Sequence, residues 1–238
     1  MAEQPKVILQ ARNLTKTYGE GETCVTAVDR MDFSFYQGEF VVILGESGAG
    51  KSTLLNLIGG IDAPTKGLLV VNGANIAGYN KKQRTLYRRN EIGFVFQFYN
   101  LMPNLTAREN IEIATQMCPS PLSPENALAM VGLSEQLDKF PAQLSGGEQQ
   151  RVSIARAIAK NSSIILCDEP TGALDYENSK QILALLEKQA HENGKTVVVV
   201  THNSSIAEMA DRLLRVRSGK IVLDVRNAFP KSIDEIEW

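Results

Sequence analysis

Three short stretches of the chain hold the residue types that do chemistry. Gly45-Glu46-Ser47-Gly48-Ala49-Gly50-Lys51-Ser52 fits the pattern GxxxxGK[ST], with Thr53 following. Asp168 and Glu169 close the apolar run Ile164–Cys167, and between the two stretches residues 144–151 read Leu-Ser-Gly-Gly-Glu-Gln-Gln-Arg. Glycines in the first stretch let successive backbone amides turn inward around an anion without side-chain clash. Lys51 then reaches terminal phosphates, and the Ser52 hydroxyl suits Mg²⁺. Adjacent carboxylates divide the remaining work. Asp168 faces the metal, directly or through water, while Glu169 points elsewhere to orient or deprotonate a water. In the third stretch Ser145, Gly146 and Gly147 precede the helical run Glu148–Lys160, so their amides form a second anion-binding helix start. A single chain has no use for two such sites on one terminal phosphate.

These groups need elements to position them. Phe40–Leu44 is an unbroken apolar run, as expected for a strand buried on both faces, and it leads directly into the glycine loop. A helix follows with Leu54, Leu55 and Ile58 facing inward. Val7–Leu9 and Met31–Phe35 read as strands of an antiparallel sheet, the second alternating apolar and polar. Turns at Pro64–Gly67 and Asn72-Gly73 bracket a short strand, Leu68–Val71. Ile92–Phe96 is an apolar strand ending at Gln97. From about Phe98 to Lys160 the chain turns helical. Thr106 with Glu109 forms a capping box before Ala107–Met117, Ser123-Pro124 starts another helix, and Gly132 stops it. Strands return at Ile164–Cys167 and Thr196–Thr201 around the helix Asn178–Asn193, which Gly194 ends; His202 follows the second strand. Leu213–Val216 and Ile221–Val225 flank Ser218-Gly219 as a closing hairpin. Lys81, Lys82, Arg84, Arg88 and Arg89 coat a solvated helix, with a lipid-headgroup contact as the alternative, and the acidic tail Lys231–Trp238 reads as frayed, with Trp238 free to dock on a partner.

The chain has 238 residues, 43% hydrophobic, enough for one large α/β domain or two closely joined lobes, and a formal net charge of −2. That charge gives no ground for binding nucleic acid or anionic lipid in bulk. Three widely spaced cysteines without a CxxC pair suit a reduced cytosol. Met1–Lys6 carries no apolar signal segment, and the longest apolar runs fall far short of the roughly 20 residues a membrane helix needs. Any path across a bilayer must come from another chain.

Over nearly the whole length, the glycine loop, LSGGEQQR and the acidic strand end resemble the nucleotide-binding domain of ABC transporters. The resemblance implies an α/β, P-loop NTPase ABC-type ATPase with a RecA-like parallel sheet core, an antiparallel β subdomain and an inserted α-helical subdomain. Residues 1–238 then form a single ABC ATPase domain. Residues 1–97 and 161–230 make the catalytic lobe with the β subdomain, 98–160 the helical subdomain bearing the signature, and 231–238 a tail. It implies ATP hydrolysis to ADP and phosphate, with ATP and Mg²⁺ as cofactors. Glu169 is the expected general base, Gln97 the glutamine that reaches Mg²⁺ or the lytic water, and His202 the switch histidine on the γ-phosphate. Gly45 to Thr53 hold the triphosphate, Ser52, Gln97 and Asp168 hold the metal, and Tyr18 stacks on adenine. Ser145, Gly146, Gly147 and Asp175 act in trans, covering the nucleotide of a second copy in a head-to-tail homodimer.

Further stretches resemble the macrolide-export and lipoprotein-release (MacB/LolD-like) branch: Gly59–Asp62, Gly93–Gln97, Asn100–Thr106 with Glu109-Asn110, and Pro170–Asp175. They imply a bacterial ATPase at the inner face of the cell membrane, working under a separate FtsX/MacB-like permease that Phe98, Tyr99 and Leu101 touch. The work there is export, lipoprotein or lipid extraction, antimicrobial-peptide handling or mechanotransmission. Ala49, Glu148 and Cys167 depart from the commonest family residues without threatening the chemistry. A soluble ABC ATPase uncoupled from transport is the alternative. Such proteins usually carry tandem domains or coiled coils, and this chain has one motif set and no heptad tract.

Overall fold

The computed structural model describes residues 6–236. β1 (Val7–Tyr18) pairs antiparallel with β2 (Val25–Tyr36) through Leu9–Phe35, Ala11–Phe33 and Leu14–Met31. Both strands are far longer than the expected Val7–Leu9 and Met31–Phe35. Their added halves are polar and broken by register shifts near Asn13 and Arg30, which hold left-handed backbone at φ 48°, so the period-two pattern is lost there. β3 (Phe40–Leu44) is buried at all five residues. It feeds the glycine loop and α1 (Lys51–Ile58), where Leu57 is buried along with the expected Leu54, Leu55 and Ile58. β4 (Lys66–Val71) pairs with β1, and the Asn72-Gly73 turn returns it to β5 (Ala74–Asn75).

α2 (Lys81–Glu91) carries the basic run behind an Asn80–Gln83 capping box. β6 (Ile92–Val95) stops one residue before the expected end, because the Phe96 carbonyl already accepts from Tyr99 N in a turn. Three helices follow: α3 (Ala107–Thr115), α4 (Pro124–Met130) and α5 (Gly146–Ala159). The Thr106–Glu109 capping box and the Ser123 cap stand as read, and Gly132 takes φ 72° after α4. β7 (Ile164–Asp168), α6 (Tyr176–His191) and β8 (Thr196–Thr201) complete the central layer. β9 (Arg212–Arg217) and β10 (Lys220–Arg226) form the expected hairpin. It is no separate unit, since β9 also pairs in parallel with β3.

The larger sheet has the order β10-β9-β3-β8-β7-β6, parallel except at β10; the smaller has β2-β1-β4-β5. Alternate residues of the central strands feed two different cores. Phe40, Val42, Ile165, Cys167, Val197 and Val199 join helices α3 to α6. Val41, Ile43, Ile164, Leu166, Val198 and Val200 meet α1 and the small sheet. Such a strand must be apolar at every position.

One expectation is corrected. The tail is not frayed over its described part: Ile233 and Ile236 are 7% and 2% exposed within the helical-side core. Spaced by three, they share one face of a short 3₁₀ turn capped by Ser232 and Glu235. Ion pairs fasten it, Lys180 Nζ–Asp234 at 2.7 Å and Lys231 Nζ–Glu208 at 2.6 Å. Trp238 lies outside the described residues. Among the described residues the three cysteines are free, and no helix is long and apolar enough to cross a membrane.

Candidate functional site

The glycine loop joins the carboxyl end of β3 to the start of α1, and two neighbouring carbonyls clamp it. A Cβ on Gly45 would lie 2.3 Å from the Val216 oxygen, and one on Gly50 2.1 Å from the Ala27 oxygen. Gly50 caps α1 with φ 101°, a conformation that glycine alone takes readily. The first hydrogen bond of the helix runs from Leu54 N to the Gly50 carbonyl, which leaves the earlier amides of α1 to serve an outside acceptor. Lys51 is buried, its Nζ donating to the carbonyls of Gly45 at 2.8 Å and Glu46 at 2.9 Å. The ammonium is therefore fixed at the loop's centre, where incoming phosphate oxygens would be stronger acceptors.

A cleft of about 640 Å³ opens above this loop. The sizes of small-ligand sites bracket it. Glu46, Ser47, Gly48, Gly50, Lys51, Ser52 and Thr53 line it together with Gln97, Asp168, Glu169 and His202. Residues that lie far apart in the chain thus converge because β6, β7 and β8 end side by side. Gly45 and Ala49 build the loop from behind. Ala27, from β2, also lines the cleft; it was missed because a lone alanine in a polar strand gives no signal.

The acidic pair splits in two directions. Asp168 Oδ1 accepts from Ser52 Oγ at 3.3 Å. Burial pushes the Asp168 carboxyl above the usual range, Ser52 and Lys51 pull it partly back, and the neighbouring Glu169 charge lifts it again. Glu169 adopts φ 47°, left-handed backbone in a non-glycine residue, with its amide donating to the Val200 carbonyl at 2.9 Å. That turn carries its carboxylate away from Asp168 to the end of β8. There Thr201 Oγ1 donates to Oε2 at 3.1 Å, and His202 Nδ1 lies 2.9 Å from Oε1. Strain of this kind gathers at functional positions. Thr201 was not foreseen, although its place directly before His202 was a usable signal.

Ser52 and Asp168 are hard oxygen donors facing each other. Among the described residues no cluster of three or more histidine, cysteine or acidic side chains could hold a metal alone. A divalent ion here would draw most of its ligands from phosphate and water, which fits Mg²⁺.

Ser145, Gly146, Gly147, Asp175 and Tyr18 do not line this cleft. Ser145 caps α5 in a capping box: Glu148 N donates to Ser145 Oγ at 3.2 Å and Ser145 N to Glu148 Oε2 at 2.8 Å. The Ser145 amide holds the Glu148 carboxyl below its ordinary range. Asp175 caps α6, accepting from Asn178 N at 2.9 Å and Asn178 Nδ2 at 2.8 Å. Tyr18, at the end of β1, is 43% exposed. Its hydroxyl donates to Asp62 Oδ2 at 2.8 Å, and Lys16 Nζ sits 4.8 Å from its ring centroid.

A parallel sheet delivering strand, glycine loop and helix at β3, and an acidic strand end at β7 two strands away, defines a P-loop nucleotide-binding ATPase. Comparison with known proteins narrows the class. The family model described as ABC transporter matches residues 28–172. An uncharacterized ABC transporter ATP-binding protein of Mycobacterium tuberculosis is 43% identical over 227 residues, covering 93% of this chain and 91% of that protein. The macrolide export ATP-binding/permease protein MacB of Marinobacter nauticus is 40% identical over 96% of this chain, but only 36% of MacB is covered. Among solved structures, the dimeric ATP-binding cassette MJ0796 in a post-hydrolysis state with ADP and Pi aligns with a TM-score of 0.85. It is 40% identical, covering 93% of this chain and all of that one. The chain belongs to the ABC transporter family and is an ATPase of that family.

Proposed function

We propose that this chain is the ATP-hydrolysing subunit of a bacterial ABC transporter, closing as a homodimer on two ATP molecules beneath a separate permease at the inner face of the membrane. One observation carries the dimer: the helix start Ser145–Gly147 lies outside the cleft that the glycine loop shares with Glu169. A second copy can bring that helix start to the triphosphate, with Asp175 at the seam. Closure then follows from differential contact, because ATP touches both chains in the closed pair and far less in the open one.

Within each cleft the loop amides and Lys51 hold the terminal phosphates, and Glu169 takes the proton of the attacking water. Thr201 and His202 aim the Glu169 carboxylate, and Gln97 offers its amide beside it. Ser52, Asp168 and Gln97 would hold Mg²⁺, which when bound neutralises charge on the phosphoryl oxygens. Tyr18 stands at the rim as the adenine platform. The permease side is supported by exposed Phe98 (76%) and by a groove of about 490 Å³ lined by Leu105, Ile113 and Pro121 and rimmed by Glu109 and Glu112. An apolar helix with basic flanks from an FtsX/MacB-like permease fits that surface.

Glu169→Gln tests the core of this reading. It should keep ATP binding, lower kcat by about 10²–10⁴-fold, and accumulate a dimer at twice the 26.1 kDa subunit mass in light scattering with ATP. Unchanged turnover would defeat the assignment of the base, and a monomer at saturating ATP would defeat the dimer.

A further inference from the structure

Gln150 lies in the second turn of α5 with its side chain fully buried. Its Nε2 donates at 2.8 Å to the carbonyl of Pro170, the residue after Glu169. Its Oε1 is buried with no hydrogen-bond partner. Methionine in its place would remove the unpaired oxygen but leave the buried Pro170 carbonyl without this donor. The amide's one bond goes to the backbone beside the general base.

A second tie lies one turn earlier. Gly147 is packed so closely on Asn178 that a Cβ there would sit 2.3 Å from Asn178 Oδ1. Arg151 Nη1 reaches the same oxygen at 3.3 Å and Gln181 Oε1 at 3.0 Å, while Asn178 also grips Asp175. The segment between the two ties is a chain of tight turns, Gly172 N to the Glu169 carbonyl and Leu174 N to the Thr171 carbonyl. It has little slack. A displacement of α5 would act on Pro170 through this bond, one residue from Glu169.

We propose that Gln150 is a positioning residue that couples the two nucleotide sites: it ties the helix start that clasps the partner's triphosphate to the general base serving the chain's own. Engagement of Ser145–Gly147 by the partner's ATP moves α5, α5 moves Pro170 through Gln150, and the Glu169 carboxylate swings into line. The inference rests on the dimeric reading above.

The test compares the full-length chain with Gln150→Met, measuring kcat, KM, Hill coefficient, ATP affinity and thermal unfolding. The variant should stay folded at the assay temperature and bind ATP with unchanged affinity. Its kcat should fall about 10- to 100-fold, the range for a misplaced catalytic group, and its Hill coefficient should drop toward one. In a Glu169→Gln background it should still accumulate the ATP-bound dimer, since Gln150 acts after closure. Asn178→Ala, at a half-buried site, should show the same loss of kcat on a smaller scale, about 3- to 10-fold, and it serves as the test if Gln150→Met does not fold. Parental kcat and Hill coefficient in Gln150→Met, or in Asn178→Ala where that is the test, overturn the inference. Failure of Glu169→Gln alone to dimerise overturns the underlying reading instead, so the two failures are distinguishable.

Discussion

A methyl group placed at Gly50 should cost far more than one placed at Gly48, two residues earlier in the same loop. Both glycines hold left-handed backbone, φ 101° and φ 77°, so an alanine at either loses about 1–2 kcal/mol on conformation alone. Their surroundings differ. Nothing lies within 4 Å of a Cβ on Gly48, whereas one on Gly50 would be 2.1 Å from the Ala27 carbonyl oxygen, more than 1 Å inside ordinary contact. β2 cannot retreat to make room, because it is held by β1 along its length and by the bond from Asp29 N to the Gly219 carbonyl. Overpacking of that kind adds about 1–3 kcal/mol. Urea unfolding should therefore give losses of about 1–2 kcal/mol for Gly48→Ala and about 2–5 kcal/mol for Gly50→Ala. Whatever part of the second loss is relieved by loop displacement should reappear in ATP titration calorimetry, at about tenfold in affinity per 1.4 kcal/mol. Equal stability of the two variants would refute the claim that the Ala27 carbonyl shapes the loop.

The remaining predictions concern Asp168 and the tail. Burial raises the Asp168 carboxyl in the folded chain, so its contribution to stability is full while it is protonated and is lost as pH rises through the folded pKa. Nucleotide-free Asp168→Asn should then melt higher than the parent at pH 7.5, with the advantage shrinking toward pH 4; a lower melting point at neutral pH would reject the burial argument. Ile236→Ala should cost about 2–3 kcal/mol in urea unfolding, as for a buried aliphatic side chain, against under about 0.5 kcal/mol if the tail were solvated.

What could be read along the chain was whatever depends on near neighbours. β3, β7 and β8 announce themselves because each is buried on both faces and carries an unbroken run of at least four apolar residues. The Thr106–Glu109 box is a contact across three residues, visible in one line of letters. The far halves of β1 and β2 were lost because Asn13 and Arg30 break the alternation that identifies a strand. The tail was misjudged because two isoleucines among charged residues look solvated until α6 is seen beneath them. Of the candidate site, the loop, Asp168, Glu169 and His202 were legible from type and position, Gln97 only through the family resemblance, and they line one cleft. Thr201's grip on Glu169 and the bond from Gln150 to Pro170 join positions 32 and 20 residues apart. No local pattern encodes such pairs.

A left-handed turn at the tip of β7 is where glycine or asparagine would sit more comfortably, so the protein keeps a glutamate where endurance alone would choose otherwise. Any laboratory evolution that screens for heat resistance without a turnover filter will therefore be drawn to position 169, and its sturdiest survivors will be the inert ones.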